Sequence, residues 1–139
     1  MSQIIFLGTA GGSSVTSRQL RASGGIILQV DDIQLHLDPG PGSLNKAKEL
    51  GVNLRSNTAV LVSHNHLNHC NDLNIVIEAM TVSGLDKKGV LIANNTIING
   101  DENNPPYLTK YHQKQLEKVI TLKKEQKVAI ETVEIHGLS

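Results

Sequence analysis

The sequence predicts an α/β domain. Three observations predict it: short apolar runs recur between turns, one segment spaces its apolar residues in threes and fours, and the length suits a single core. The chain has 139 residues, enough to bury roughly two thirds of the unfolded chain's surface. It reads as one domain over residues 1–139, with a loop or insertion near 99–107. With no Trp, one Phe and two Tyr, the core must be built from Ile, Leu, Val and Ala, without the area that aromatic rings supply.

The elements follow in order. Ile4-Ile-Phe-Leu7 is a continuous apolar run closed by Gly8, the pattern of a buried strand. A polar, Gly-rich stretch follows from Thr9 through Arg21. Residues 25–30 and Ile33 to Leu37, joined at Asp31-Asp32, predict a hairpin. In its second arm Ile33, Leu35 and Leu37 alternate with Gln34 and His36, which predicts one buried and one polar face. Pro39-Gly-Pro-Gly42 cannot continue a ladder, and Ser43 is placed to cap a short helix, Leu44 to Leu50, that Gly51 stops. Thr58 to Val62 is the next buried strand. Between Asn71 and Val82, Leu73, Val76, Ile77 and Met80 mark an amphipathic helix. Gly89 to Ala93 is strand-like, Asp101 to Pro106 a loop, Leu108 to Val119 helix-compatible, and Lys127 to Ile135 alternates like a strand. Strand directions are expected to be mixed.

Charge and composition exclude several classes. Thirteen Lys+Arg balance thirteen Asp+Glu, so nothing points to a polyanion partner such as nucleic acid. One Cys excludes an intramolecular disulfide framework and fits a reducing compartment. No apolar run approaches the ~20 residues that span a bilayer, and the start lacks a basic leader region. A cytoplasmic domain without membrane contact is the expectation. The glycines of Gly8-x-x-Gly11-Gly12 lack the spacing of a nucleotide-binding loop and read as turn residues.

The chemistry concentrates in Ser63-His64-Asn-His66-Leu-Asn68-His69-Cys-Asn-Asp72. Three imidazoles fall between a buried strand and a helix. Residues two apart on extended chain point the same way, so His64 and His66 are suited to grip one cation together. His69, on the turn into the helix, projects differently, toward a second cation or a shared site. Neutral imidazole suits several divalent metals, with zinc the commonest hydrolytic choice. Such an ion with an open position lowers the pKa of its water to about 7.

This segment resembles the His-x-His-x-Asp-His signature of the metallo-β-lactamase superfamily. Phe6-Leu-Gly-Thr9 after the first strand looks like the start of its ribonuclease Z-like branch. Leu37-Asp38-Pro-Gly-Pro-Gly42 resembles its acidic strand end. The resemblance spans about residues 3 to 95 and is nearest to uncharacterised prokaryotic, especially archaeal, members. It implies the N-terminal αβ half of an αβ/βα sandwich, with a mixed, mostly antiparallel sheet and helices on one face. It also implies a zinc-dependent hydrolase, with one or two ions, that activates water against an ester or phosphodiester bond. In that pattern His64 and His66 hold one metal and positions 68 and 69 hold the second. Asp38 buttresses the site and orients ligands, although a turn-capping Asp before Pro-Gly is an equal reading of the residue itself.

Two departures qualify the resemblance. Position 68 is Asn where the family has Asp, and a neutral amide brings no charge and no basicity. The second metal site is therefore weakened most. Length is the other departure: the family's second half supplies further ligands, and this chain stops at Ser139. The expectation is a half-fold that pairs, with another copy of itself or with a separate C-terminal half, because an apolar sheet face left open marks an interface. The alternative to a hydrolase is a non-catalytic metal-binding half-domain. His136 and His112 are weaker ligand candidates, and His36 is expected to face solvent or a neighbouring strand. Glu78 reads as an exposed helical carboxylate, Cys70 as an inert small helix residue, and Arg18 and Arg21 as loop residues near the glycines.

Overall fold

In the computed structural model, which describes residues 1–138, six strands form one mixed sheet in the order β1-β2-β3-β4-β5-β6. These are β1 (Ser2–Phe6), β2 (Ile26–Val30), β3 (Ile33–Leu37), β4 (Ala59–Val62), β5 (Val90–Ala93) and β6 (Lys118–Thr121). The first three pair antiparallel, and β3-β4, β4-β5 and β5-β6 pair parallel. The mixed sheet is as expected; its balance is not mostly antiparallel, because every connection from β3 onward crosses over and returns in the same direction.

The crossovers lay their helices on one face. After β3 comes α2 (Ser43–Glu49), and after β4 come α3 (Leu67–Cys70) and α4 (Leu73–Thr81). Leu73, Val76, Ile77 and Met80 of α4 are fully buried against Ile27, Val60, Val62 and Leu91 of the strands. This is the three-and-four spacing of the sequence realised as a core-facing stripe. On the opposite face Ile33, Leu35 and Ala59 form a second cluster, packed against Leu28, Leu37, Leu61, Val90 and Val133. Val133 belongs to a separate hairpin, β7 (Lys127–Ile130) with β8 (Val133–His136). That hairpin corrects the single tail strand read from the sequence; the chain reverses at Glu131, whose φ is +52°. Ile4 and Phe6 at the β1 edge stay 60% exposed.

Several other expectations are corrected. The polar stretch after β1 contains a short helix, α1 (Ser13–Ser17). Only Lys110–Gln113 of the Leu108–Val119 segment is helical, as α6, which follows α5 (Asn95–Asn99) and the loop at 100–109. Residues 114–117 form a turn, and residues 118–119 enter the sheet at the start of β6, where ladder bonds to β5 outweigh the local helical composition. Ser43 begins α2 without capping it. Its hydroxyl instead donates to the Gly24 carbonyl at 2.6 Å and lies 2.7 Å from His36 Nε2. His36, expected to face solvent or a neighbouring strand, is fully buried, because α2 covers the face of β3 that the alternation marked as polar. No helix among the described residues is long and apolar enough to cross a membrane.

Candidate metal centre

The three histidines of the cluster sit at the C-terminal edge of β4, where parallel strands open onto a crevice. His66 is the extended residue preceding α3, with φ −70° and ψ 137°, and His69 lies in the last turn of that helix. The turn brings the imidazoles together. His64 and His66 meet edge to face with ring centres 4.7 Å apart, and His64 and His69 meet tilted at 4.1 Å.

Asp38 organises them from the neighbouring strand end. Its backbone sits at φ +50°, a positive φ that Asp adopts more readily than most L-residues. Here the Asp38 amide donates to the Leu61 carbonyl at 2.8 Å. The carboxylate Oδ1 accepts from the Ser63 amide at 2.7 Å, and Oδ2 accepts from the Ser63 hydroxyl at 2.8 Å. Oδ2 also lies 3.0 Å from His69 Nδ1, and Ser63 Oγ lies 2.9 Å from His64 Nδ1.

The proton count on this chain assigns the tautomers. A carboxylate only accepts, so His69 carries its proton on Nδ1. The Ser63 hydroxyl has one proton, which goes to Asp38, so Ser63 accepts from His64 Nδ1–H. Both rings therefore expose the lone pair on Nε2, the form in which imidazole binds a metal. Burial, followed by the neighbouring imidazoles His69 and His66, lowers the His64 pKa against the opposing pull of Asp38, which favours the same neutral form.

This tests the fit of a divalent cation. The donor type and the tautomers of His64 and His69 fit zinc. The spacing is tighter than coordination asks: a tetrahedral ion about 2.0–2.1 Å from each ring nitrogen holds two ring centres about 5 Å apart. Consistently, among the described residues no group of three or more His, Cys, Asp or Glu side chains stands in a metal-holding arrangement. The rings rest on one another and must open slightly to admit an ion.

The loop carrying the cluster is pinned by close backbone contacts. A Cβ on Gly40 would lie 2.3 Å from the Asn68 carbonyl oxygen, so only glycine lets the Pro-Gly turn meet α3 there. The Asp72 amide donates to the Pro39 carbonyl at 2.9 Å, and Asp72 Oδ2 accepts from the Leu44 amide at 3.1 Å. Asn68 itself lines a cleft on the α1 side of the loop, with His66 at the boundary.

The remaining candidates are placed elsewhere. His112 Nε2 meets Glu78 Oε1 at 3.1 Å, joining α6 to α4, so Glu78 is a partly buried hydrogen-bond partner rather than a free carboxylate. His136 bonds Glu134 at 3.0 Å on the exposed hairpin, and it borders a pocket shared with Asp38 and Ser63. Cys70 is fully buried, and burial raises its thiol to about 11, so it is inert at neutral pH. Ser63 is the working residue to which sequence reasoning assigned no role. Its one signal was position, between an apolar strand and the first histidine.

No protein-family model matches the chain. An uncharacterised protein of Methanocaldococcus jannaschii is 35% identical over 120 residues, 86% of this chain and 45% of that protein. Among solved structures, the metallo-β-lactamase fold protein YhfI from Bacillus subtilis matches with a TM-score of 0.69 at 21% identity, over 94% of this chain and 49% of that one. A diphosphatase of the PhnP family matches at 0.62 and 16% identity, covering 98% and 57%. The short form of human tRNase Z matches at 0.56 and 18%, covering 70% and 35%. The chain spans about half the length of the relatives it matches.

Proposed function

The chain has the metallo-β-lactamase fold over about half the length of its structural neighbours, and on that premise we propose that it is a zinc-dependent hydrolase acting on a phosphate ester or related bond. The observation that carries the reading is the Asp38–Ser63–His64 and Asp38–His69 arrangement, which occupies both Nδ1 atoms and leaves the Nε2 of each ring as the free nitrogen. His64, His66 and His69 are the residues to hold the ion. Bound there, a divalent cation supplies a water that ionises near neutral pH. Asp38 accepts the Nδ1 proton of His69 directly and, by accepting the Ser63 hydroxyl, orients Ser63 to accept that of His64. Neighbours named as a diphosphatase and a tRNase are in keeping with a phosphoryl substrate, while others are named as metallo-β-lactamases. The balanced charge favours a small molecule over a long nucleic acid.

Asn68, in place of a carboxylate, supports a single ion on the His64 and His66 side over a pair. The same residue favours the second reading, a metal-binding half-domain without turnover. Either reading includes a partner on the sheet face where Ile4 and Phe6 lie open, a second copy or a separate C-terminal half. A single buried Cys suits a cytoplasmic setting.

Native mass spectrometry of the zinc-loaded chain, followed by a phosphodiester turnover assay, tests the proposal. About one ion per chain, turnover, and loss of both in His64→Ala and His66→Ala support it. Zinc binding without turnover selects the second reading, and absence of binding contradicts both.

A further inference from the structure

β1 is the outer strand of the six-stranded sheet, and among the described residues it pairs only with β2. Its ladder fixes which of its backbone groups are free. The Leu7 amide donates to the Gly25 carbonyl at 2.9 Å, and that pair continues the β1–β2 register. Hydrogen-bonded and non-hydrogen-bonded pairs alternate along an antiparallel ladder, so Gln3 and Ile5 direct their N–H and C=O groups to β2. Ser2, Ile4 and Phe6 turn theirs outward, to the open edge. Side chains alternate as well, so these three share one face, on which Ile4 and Phe6 lie open.

An edge of this kind is a template for further pairing, and proteins ordinarily blunt it with a charge, a proline or a bulge. The other outer strands are blunted: Lys118 stands in β6, Lys127 in β7 and Glu134 in β8. β1, Ser-Gln-Ile-Ile-Phe, has neither charge nor proline, and its register with β2 runs without a bulge. The strand is also complementary to itself. Set antiparallel to its own copy about Ile4, it places Ile4 opposite Ile4 and Ser2 opposite Phe6. Every outward N–H and C=O from Ser2 to Phe6 then meets a partner. A register one residue off sets outward groups against inward ones and forfeits those bonds. The side chains agree with the backbone, because Phe6 falls diagonal to Ile4 of the other copy, within reach of an aromatic ring.

We infer that two copies of this chain join along β1, antiparallel about Ile4, into one continuous sheet. Pairing uses up both β1 edges, and the charged β6 edges do not extend it, so the assembly closes as a dimer. The axis relating two antiparallel strands of one sheet stands perpendicular to that sheet. Both helix layers therefore lie on one side, and the two histidine clusters open at opposite ends of the strands. Each cluster is independent of the pairing, so the inference stands without the hydrolase reading. It also differs from a partner stacked on the sheet face, which leaves the Ile4 and Phe6 amides unbonded.

The experiment combines sedimentation of the full chain, from micromolar to submillimolar concentration, with amide hydrogen exchange at both ends of that range. The expected result is a dimer at high concentration, with Ile4 and Phe6 amides that exchange more slowly than in the dilute chain. Gln3 and Ile5 amides stay protected in both. Ile4→Pro removes an outward N–H that the single chain does not use, a change edge strands tolerate. It raises the dimer dissociation constant about tenfold or more, the worth of two net hydrogen bonds. Ile4→Lys, which keeps the backbone free, sets two ammonium groups side by side at the centre and acts in the same direction; it decides the matter if the proline disturbs the fold. Zinc affinity by calorimetry stays unchanged in both variants, and zinc binding absent throughout sinks the hydrolase reading while leaving the dimer standing. A chain monomeric at every concentration, a dimer whose Ile4 and Phe6 amides exchange as fast as the dilute chain's, or an assembly indifferent to both variants overturns the inference.

Discussion

His36 makes this fold acid-sensitive in a defined window. The ring is fully buried, and its Nε2–H has one place to go. The Ser43 hydroxyl gives its proton to the Gly24 carbonyl and so accepts from His36. Nδ1 has no partner at all. Protonation therefore puts a charge, and an N–H without an acceptor, into the core. Burial, outweighing the backbone contact to Gly24 and the carboxylates of Asp72 and Asp38, lowers the pKa from 6.5 to about 4. The unfolded chain takes up this proton near 6.5 and the native chain only near 4. Stability from this group is thus complete above pH 6.5, declines as pH falls below it, and is fully lost below about 4. At about 1.36 kcal/mol per pKa unit the loss is about 3 kcal/mol, a large part of the ~5–15 kcal/mol that holds a domain together. Urea unfolding at several pH values between 7.5 and 4 measures it. His36→Gln keeps a donor toward Ser43 and cannot ionise, so its stability should fall less over the same window, by that difference. Parallel curves for the two proteins would refute the argument.

Other predictions concern the loop and its metal. Gly40→Ala places a methyl against the Asn68 carbonyl and should cost about 1–3 kcal/mol in urea unfolding while shifting the histidine ring resonances. Asp38→Asn disturbs the acceptor of the His69 Nδ1 proton and of the Ser63 hydroxyl and should weaken zinc binding about 10–100-fold, read by calorimetry. Asn68→Asp should strengthen binding of a second ion, read as a second equivalent in native mass spectra. Leu73→Ala empties a fully buried position of α4 and should cost about 2–5 kcal/mol in the same unfolding assay.

What the sequence made legible was local. The strands β1 to β5 announce themselves as apolar runs between breakers, α4 by its periodicity, and the histidine cluster by three imidazoles at one strand end. What it concealed depends on contacts made at a distance. Gln34 and His36 look outward by alternation, yet the helix layer covers their face and gives them polar partners, Asn57 and Ser43. Residues 114–119 have helix-forming composition, yet Lys118–Thr121 pairs with β5. The α1 turn is built from Ser, Val and Thr, residues with no helical signature of their own. The Asp38–His69 bond joins residues 31 apart in sequence; the resemblance implied that Asp38 supports the site, but neither segment's local pattern says which histidine it meets.

The central claim is that Asp38 and Ser63 hold two histidines with Nε2 free for a cation. Long-range nitrogen–proton NMR of the imidazoles tests it most directly, because it reports which ring nitrogen carries the proton. The account predicts protonated Nδ1 on His64 and His69 before metal is added, and zinc-induced shifts on their Nε2 atoms afterwards. Protons on Nε2 in the free chain, or ring nitrogens that do not respond to zinc, would contradict it.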